Sequence, residues 1–333
     1  SAIERLRAEN PNNAVVAAGD MIGASPLVSN IFLDEPTILA MNLIRVDFNA
    51  VGNHEFDRGR EELLRMQHGG CARYTLRDPC RIDSHFPGAD FDFLAANVTS
   101  ENGQTLFPAY GIRRYGSGES EVRVAFIGMT LEGTPTVVSP GGIEGLRFGD
   151  EADTVNALLP RLRAEGADAV VVLIHQGLDL PRDYPGTGCD GLEGELREVL
   201  DRLDPQVDLV VSGHTHNAYI CDYATVDPAR PFLVTSAGRY GAMLTDIDLV
   251  VDPARGDVVA REAAHLIVQS EPYTSGSGPV PLTGRIPAYE RNPAVAALVE
   301  RYAAAAGPLA GRVVGRLTGP AARSSAPSGE RVL

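Results

Sequence analysis

Residues 210–220 read VVSGHTHNAYI, an apolar run that ends at a glycine and then presents His214 and His216. Side chains two positions apart in a strand point to the same face, so this spacing predicts that the two imidazoles could share a ligand. A turn with two hydrogen-bonded histidines would leave the same pattern. The pair alone does not separate these interpretations, and other parts of the chain have to be considered.

Apolar runs of strand length recur along the chain, and segments with helical periodicity lie between several of them. Leucines at helical spacing precede Gly166, and a second such set follows Asp190. Near-continuous Val, Ile and Leu strands that alternate with helices predict an α/β fold with buried sheets. The predicted strands are Ala14–Ala18, Phe48–Val51, Phe91–Ala95, Val122–Ile127, Ala169–Ile174, Val207–Val211 and Phe232–Val234.

Composition narrows the range of partners. The chain has 333 residues and a formal net charge of -15, and its 29 basic residues are all arginine. Faces that bind nucleic-acid polymers are usually basic, so a polymer partner is not expected. No stretch approaches the roughly 18 apolar residues that a membrane span needs. Phosphate chemistry on such an acidic protein would require local positive charge, which metal ions supply most simply.

The four cysteines lie in polar segments rich in Gly, Pro and Asp. Their positions suggest two disulfides, Cys71 with Cys80 and Cys189 with Cys221, a pairing argued from neighbourhood alone. Disulfides are typical of secreted or cell-envelope proteins. A zinc knuckle is the alternative, which the missing C-x-x-C spacing weakens.

The two ends of the chain differ from its middle. Ser1 and Glu4 fit a capping box, and the opening segment is interpreted as the last turns of a longer helix in preference to a short isolated one. After residue 262 the chain becomes rich in Ser, Gly and Pro. A helix is then predicted from Asn292 to Gly307 and Pro308, which should stop it.

Polar residues follow four of the apolar runs. Carboxyl ends of strands are where binding sites collect in open α/β sheets. Carboxylate, amide and imidazole groups together suit divalent zinc, manganese, iron or cobalt. The residues are Asp20 after VVAAG, Asn53, His54, Glu55 and Asp57 in GNHEFD, His175 after VVVLI, and His214 and His216 in GHTH.

The ordered set GD, GNHE, H-x-G and GHTH resembles the calcineurin-like metallophosphoesterase superfamily. GNHEFD and SGHTHNAY are similar in particular to its 5'-nucleotidase branch, and the resemblance covers about residues 14–240. It implies a four-layer α/β fold of two packed mixed β-sheets flanked by helices, with two divalent metal ions at its edge. It also assigns five metal ligands by position: Asp20, which would bridge both ions, Asn53, His175 and His214 at one ion, and His216 at the other.

The same resemblance assigns the catalytic pair. His54 would lie near the leaving-group oxygen, Asp57 would hold its ring, and Glu55 would be a scaffold residue. Two metal ions about 3.5–4 Å apart can activate a water and neutralise developing charge. A cationic His54 could then assist the departing alkoxide, and Asp57 would favour that cation.

The resemblance implies hydrolysis of phosphate esters, with 5'-nucleotides as the leading substrates and nucleosides and phosphate as the products. Nucleotide sugars such as UDP-sugars, or 2',3'-cyclic nucleotides, are alternative substrates within the same chemistry. A catalytically silent module that holds phosphate or metal is the alternative from another class. His68, His85 and His265 are expected to be structural or exposed.

The chain departs from the family pattern in its first motif, D-x-H, which does not precede Asp20. The only D-x-H, at Asp83 to His85, is interpreted as loop. We therefore expect one ion to be held well, the other poorly, and hydrolysis to be slow. The predicted domains are a catalytic domain over 1–262, a linker with an interdomain helix over 263–310, and the start of a nucleotide-binding domain over 311–333.

Overall fold

The computed structural model describes residues 1–180, 186–275 and 278–316. Within these ranges the chain forms both strands and helices. The strands are β1 Val16–Ala17, β2 Phe48–Ala50, β3 Asp92–Leu94, β4 Val98–Ser100, β5 Tyr110–Tyr115, β6 Val122–Met129, β7 Leu146–Phe148, β8 Ala169–Ile174, β9 Gly186–Thr187, β10 Leu209–Ser212, β11 Ala218–Asp222, β12 Leu233–Ala237, β13 Met243–Asp252, β14 Asp257–Ile267, β15 Tyr273–Ser275 and β16 Gly278–Val280.

The described helices lie before, between and after these strands. They are α1 Ala2–Glu9, α2 Leu27–Asn30, α3 Glu35–Ile44, α4 Arg60–His68, α5 Thr134–Val137, α6 Glu151–Ala164, α7 Leu196–Leu200 and α8 Pro293–Ala310. Each of the seven predicted strand runs contains or overlaps an observed strand, so the α/β prediction is confirmed.

The larger sheet has seven strands in the order β5-β6-β8-β10-β12-β11-β9 and is mixed. Its middle strands β6, β8, β10 and β12 are parallel, and β5 and β11 run antiparallel to their neighbours β6 and β12. All six residues of β8 are buried. Helices α6 and α7 cover one face, where leucines of both helices pack on alternate residues of β6, β8 and β10. The continuous apolar run of β8 is thus explained by burial on both faces.

The smaller sheet has the order β1-β2-β3, and its described pairs are all parallel. It packs against the larger sheet through Phe48 and Leu94, which share a core cluster with Phe126, Val171 and Leu173. Two packed sheets were predicted, both of them mixed. Only the seven-stranded sheet is mixed, because no described antiparallel strand joins β1, β2 and β3.

The C-terminal region differs most from the sequence-based expectation. The long hairpin β13–β14 was not predicted, and β14 runs through residue 262, where the domain boundary was placed. Helix α8 continues to Ala310, so the prediction that Gly307 and Pro308 stop it is wrong. Tyr302 packs edge-on against Phe32 at 5.1 Å between ring centroids. This docking stabilises the last turns more than the local breakers weaken them.

Other features of the ends agree with the sequence. Ser1 and Glu4 form the capping box, and Asn292 caps α8 by accepting from the amides of Ala294 and Val295. The domain division itself stays a prediction. Most of the segment assigned to a further domain, residues 317–333, lies outside the described residues.

Both predicted disulfides are present, joining Cys71 to Cys80 and Cys189 to Cys221. The zinc-knuckle alternative is thereby excluded, because all four thiols are bonded to one another. Among the described residues, no helix is long and apolar enough to cross a membrane.

Candidate metal centre

Asp20 lies just beyond β1, in the left-handed backbone region with φ of 57°. Gly19 precedes it at φ of 89°, and a Cβ there would come within 2.5 Å of His175 Nδ1. At Gly52 a Cβ would come within 2.3 Å of Asp20 Oδ1. Glycine is therefore required at both positions so that the ends of β1 and β2 can approach His175 and the Asp20 carboxylate.

Glu55 holds this turn from inside the protein. Its buried carboxylate accepts hydrogen bonds from the amides of Asp20 at 2.9 Å, Met21 at 2.9 Å and Gly52 at 2.8 Å. Burial, with the nearby charge of Asp20, raises the pKa of Glu55 to about 7. The scaffold role predicted for Glu55 agrees with these contacts, which join the turns after β1 and β2.

Replacing Glu55 by glutamine should lower the free energy of unfolding by about 1–3 kcal/mol, because the new amide nitrogen cannot accept from a backbone N–H and leaves a buried donor unpaired. Urea denaturation of the metal-free protein measures this change. Glu119→Gln on an exposed turn is the matched control and should change little. Equal stability of the two variants would contradict the proposed clamp.

His175 follows β8 directly and is buried. Its Nδ1 lies 2.6 Å from the carbonyl oxygen of Ala18, which can only accept, so Nδ1 donates. Its Nε2 lies 3.0 Å from Asp20 Oδ2 and 3.1 Å from Asn53 Oδ1. Burial opposes a charged imidazole, but the hydrogen bond and charge of Asp20 outweigh it and raise the pKa of His175. Two oxygen acceptors, from Asp20 and Asn53, thus lie near the one ring nitrogen Nε2. This arrangement favours a cation bound by the two oxygens and the nitrogen.

The Asp20 carboxylate is complementary to this imidazole. Burial would raise its pKa, but the hydrogen bond and charge of His175, together with the amide of His54, hold the pKa below its usual value. One oxygen, Oδ1, accepts from the His54 amide at 2.9 Å, and Oδ2 faces His175. The carboxylate is therefore ionised and oriented.

His214 is the third member of a group of side chains that could hold a metal ion. The ligand atoms of Asp20, His175 and His214 all lie within 4.8 Å of one another. Burial and the charge of His175 lower the pKa of His214, which favours the neutral imidazole that metals bind. With the Asn53 oxygen beside His175, the donor set of carboxylate, amide and two imidazoles fits a divalent ion such as zinc or manganese.

His216 is placed differently. Strand β10 ends at Ser212, and both His214 and His216 have left-handed backbone with φ of 67° and 62°. The predicted strand alternation therefore does not apply to this pair, because neither residue lies in a strand, and the turn kept as the alternative is what the structure has. His216 is exposed, and its ring centroid lies 5.7 Å from that of Tyr240. Its assignment to a second ion stays a prediction.

The catalytic pair predicted from GNHEFD lies beside this group. His54 Nδ1 is 2.8 Å from Asp57 Oδ2, and both side chains are partly exposed. The hydrogen bond that His54 donates to Asp57 raises the pKa of His54 against the effect of burial, and the charge of Asp20 adds to the rise. The pair can therefore present a protonated imidazole to solvent next to Asp20.

Sequence reasoning missed the carbonyl of Ala18, which orients His175, because a backbone acceptor cannot be recognised from the residue type.

The three remaining histidines agree with the expectation that they are structural or exposed. His68 and His85 are exposed, and His265 lies on β14 with Nδ1 at 3.2 Å from Thr245 Oγ1. The D-x-H at Asp83 is in a loop, where Asp83 pairs with Arg301 of α8 at 2.7 Å.

Carboxylate, amide and imidazole groups gathered at the ends of parallel strands are typical of metal-dependent hydrolases. A family profile described as Calcineurin-like phosphoesterase matches residues 1–218. The chain belongs to this family of metallophosphoesterase hydrolases, as the sequence motifs indicated.

Relatives in the family include proteins named 5'-nucleotidases. An uncharacterised protein of Acinetobacter calcoaceticus is 62% identical over 117 residues, 34% of this chain and 57% of that protein. A probable 5'-nucleotidase of Treponema pallidum is 28% identical over 271 residues, 75% of this chain and 38% of that protein. The structure of a 5'-nucleotidase precursor from Thermus thermophilus has a TM-score of 0.67 at 21% identity, covering 94% of this chain and 53% of that one. The chain thus spans only about half the length of these relatives.

Proposed function

We propose that this protein hydrolyses phosphate esters, with 5'-nucleotides as substrates and nucleosides and phosphate as products. The observation that supports it most is the grouping of the Asp20, His175 and His214 ligand atoms within 4.8 Å, beside the His54–Asp57 pair. In this proposal the carboxylate and the two imidazoles would bind metal, and His54 would donate a proton beside them. The overall four-layer arrangement of the family, with helices outside both sheets, is part of the proposal.

Five residues are proposed as metal ligands: Asp20, Asn53, His175, His214 and His216. Bound divalent ions would supply positive charge for the phosphoryl oxygens and lower the pKa of a water. Asp20 and Asn53 contribute oxygens fixed at the ends of β1 and β2. His175 contributes Nε2, since its other ring nitrogen is held by Ala18.

The proposed role of His54 is to donate a proton from its ring to the leaving alcohol. Asp57 orients the ring and favours its charged form through the 2.8 Å hydrogen bond. The amide of His54 meanwhile supports Asp20 from behind at 2.9 Å. One short segment therefore serves both the metal ligand and the proton donor.

The two ions are proposed to be held unequally. Asp20, His175 and His214 form the one described group of at least three such side chains, whereas His216 is exposed and outside it. The ion bound by this group should be retained more tightly, and turnover by this chain should be slow. The two disulfides support a location outside the cytoplasm.

A substrate panel with metal analysis tests the function. The chain, loaded with manganese and dialysed, should release phosphate from AMP and UMP faster than from UDP-glucose or 2',3'-cyclic AMP, and EDTA should abolish the release. Faster turnover of the sugar or cyclic substrates would favour the alternative activities. Retained metal without hydrolysis of any substrate would favour a silent binding module. Two tightly held ions per chain would contradict the unequal sites.

A further inference from the structure

A buried carboxylate, that of Asp34, connects the two segments that carry the proposed metal ligand and the proposed proton donor. Asp34 is fully buried, and its Oδ2 accepts hydrogen bonds from the amide of Gly23 at 3.0 Å and from the guanidinium of Arg58. Gly23 follows Asp20 in the segment after β1. Arg58 directly follows Asp57 in the turn after β2. One oxygen atom therefore joins the segment after β1 to the turn after β2.

The carboxylate of Asp34 is fixed by contacts on its other side as well. Its Oδ1 accepts from the hydroxyl of Ser29 at 2.7 Å and from that of Ser25. Asp34 and Leu33 both have left-handed backbone, with φ of 65° and 58°. Such backbone is uncommon at residues other than glycine and persists where the surrounding structure imposes it. The side chain is therefore a rigid anchor between the two segments.

The two segments also touch through their backbones. A Cβ at Gly23, where φ is 100°, would lie 2.1 Å from the carbonyl oxygen of His54. The carbonyl of Gly23 is itself held by Asn30, whose side-chain nitrogen donates to it at 3.1 Å. Because the two backbones are already in contact, the Asp34 bridge fixes the His54 turn directly against the segment that follows Asp20.

Glu55 and Asp34 hold different ends of the His54 turn. Glu55 accepts from amides at the ends of β1 and β2, on the metal side of the turn. Asp34 holds Arg58 at the far end, next to Asp57. By pairing with Arg58, Asp34 also leaves the neighbouring Asp57 carboxylate to His54 Nδ1, which it faces at 2.8 Å. Without Asp34, the charge of Arg58 would attract the Asp57 carboxylate instead.

We propose that Asp34 is a positioning residue for proton transfer, acting through Arg58 to hold the catalytic pair beside Asp20. This inference rests on the proposed phosphoesterase function. A proton donor works only within hydrogen-bonding reach of the leaving oxygen, and a displacement of about 1 Å can cost about 100-fold in rate. Asp20 keeps its contacts with Glu55 and with the His54 amide when the bridge is lost. Loss of the bridge should therefore weaken proton transfer and spare metal binding.

Arg58→Met in the full chain tests the bridge. It should lower kcat/KM for AMP by about 10–100-fold, because the catalytic pair is displaced. The loss for p-nitrophenyl phosphate should be smaller, since its leaving group departs without a proton. Manganese affinity, measured by calorimetry, should match that of the unchanged protein. Arg58→Lys retains a cation to pair with Asp34 and should keep most of the AMP turnover.

Arg261→Met is the matched control. Arg261 pairs with the buried Asp208 at 2.7 Å, and the side chains of Arg261 and Arg58 are 19% and 14% exposed. Asp208 precedes β10 and His214 follows it, so this ion pair lies at the opposite end of the strand from the proposed metal centre. The control should lose a comparable amount of stability and leave the ratio of AMP to p-nitrophenyl phosphate turnover unchanged.

Asp34→Gly removes the bridge without leaving a buried charge, and glycine accepts the left-handed backbone at this position. It should repeat the pattern of Arg58→Met, and it decides the question if that variant does not fold. Proton NMR of the metal-free chain gives a readout without catalysis. The hydrogen-bonded Nδ1 proton of His54, identified by its loss in His54→Ala, should give a downfield signal that weakens in both bridge variants and persists in Arg261→Met.

Three results would overturn the assignment. They are equal losses for both esters in the bridge variants, a loss of manganese affinity, and unchanged AMP turnover together with an unchanged Nδ1 signal. If the unchanged chain hydrolyses neither ester, the proposed function fails, and the Nδ1 signal alone decides whether Asp34 positions the pair.

Discussion

Asp20→Asn should lower kcat/KM for AMP by more than about a thousandfold, since one metal ligand's charge is worth several kcal/mol in the transition state. The affinity for metal should fall as well, by at least about 10–100-fold. That is the typical loss when a residue that only hydrogen-bonds to a metal ligand is replaced. Asparagine has the shape of aspartate but no charge. The variant therefore isolates the negative charge that faces His175 at 3.0 Å.

Folding should survive this change for two reasons. Asparagine is, with aspartate, among the residues that tolerate left-handed backbone, so the φ of 57° at position 20 remains accessible. Its side-chain oxygen can still accept from the His54 amide, now at 2.9 Å from Oδ1. The thermal midpoint of the metal-free protein should stay close to that of the unchanged protein.

The measurements are metal content after dialysis and initial rates of phosphate release. Asp153→Asn, at a carboxylate that is 78% exposed on α6, is the control and should leave both unchanged. Full metal content with full activity in Asp20→Asn would remove the basis for the proposed centre.

Much of the fold could be predicted because strands that are buried on both faces have continuously apolar sequences. Strand β8 has both faces covered, and every one of its residues is apolar. A polar residue directly after such a run must lie at the sheet edge. This reasoning is sufficient to bring Asp20, Asn53, His175 and His214 to one edge, although the two sheets come from separate parts of the chain.

The sequence was less informative where backbone conformation decides the outcome. His214 and His216 look like alternate strand residues, but both have left-handed φ values and neither lies in a strand. Nothing in the letters HTH distinguishes these states, since the turn depends on contacts with neighbouring segments. Thr215, for example, donates from its hydroxyl to the carbonyl of Leu178 at 2.8 Å.

The hairpin β13–β14 and the length of α8 show a second limit of prediction from sequence. The hairpin pairs over ten registered positions, but its sequence carries several acidic and alanine residues that weaken a strand prediction. Helix α8 passes Gly307 and Pro308 because Leu298, Tyr302 and Ala306 are buried against Phe32. Tertiary packing outweighed local propensity in both cases.

His54→Ala should reduce kcat for AMP by about 10²–10⁴-fold, the usual contribution of a positioned proton donor. The reduction should depend on the leaving group. A ribose alkoxide is strongly basic and needs a proton as it departs, whereas nitrophenolate is stable without one. The loss with p-nitrophenyl phosphate should therefore be smaller by at least about tenfold.

Substitution of the ring should leave the metal ligands in place. The contact between His54 and Asp20 uses the backbone amide, which alanine keeps, so metal content should match that of the unchanged protein.

Asp57→Asn is the companion variant, because it retains the ring and removes only the charge that faces Nδ1 at 2.8 Å. Its loss should be smaller than that of His54→Ala and should show the same dependence on leaving group. Equal losses for AMP and p-nitrophenyl phosphate in His54→Ala would show that the ring does not donate the proton, and the role would then have to be binding of phosphate.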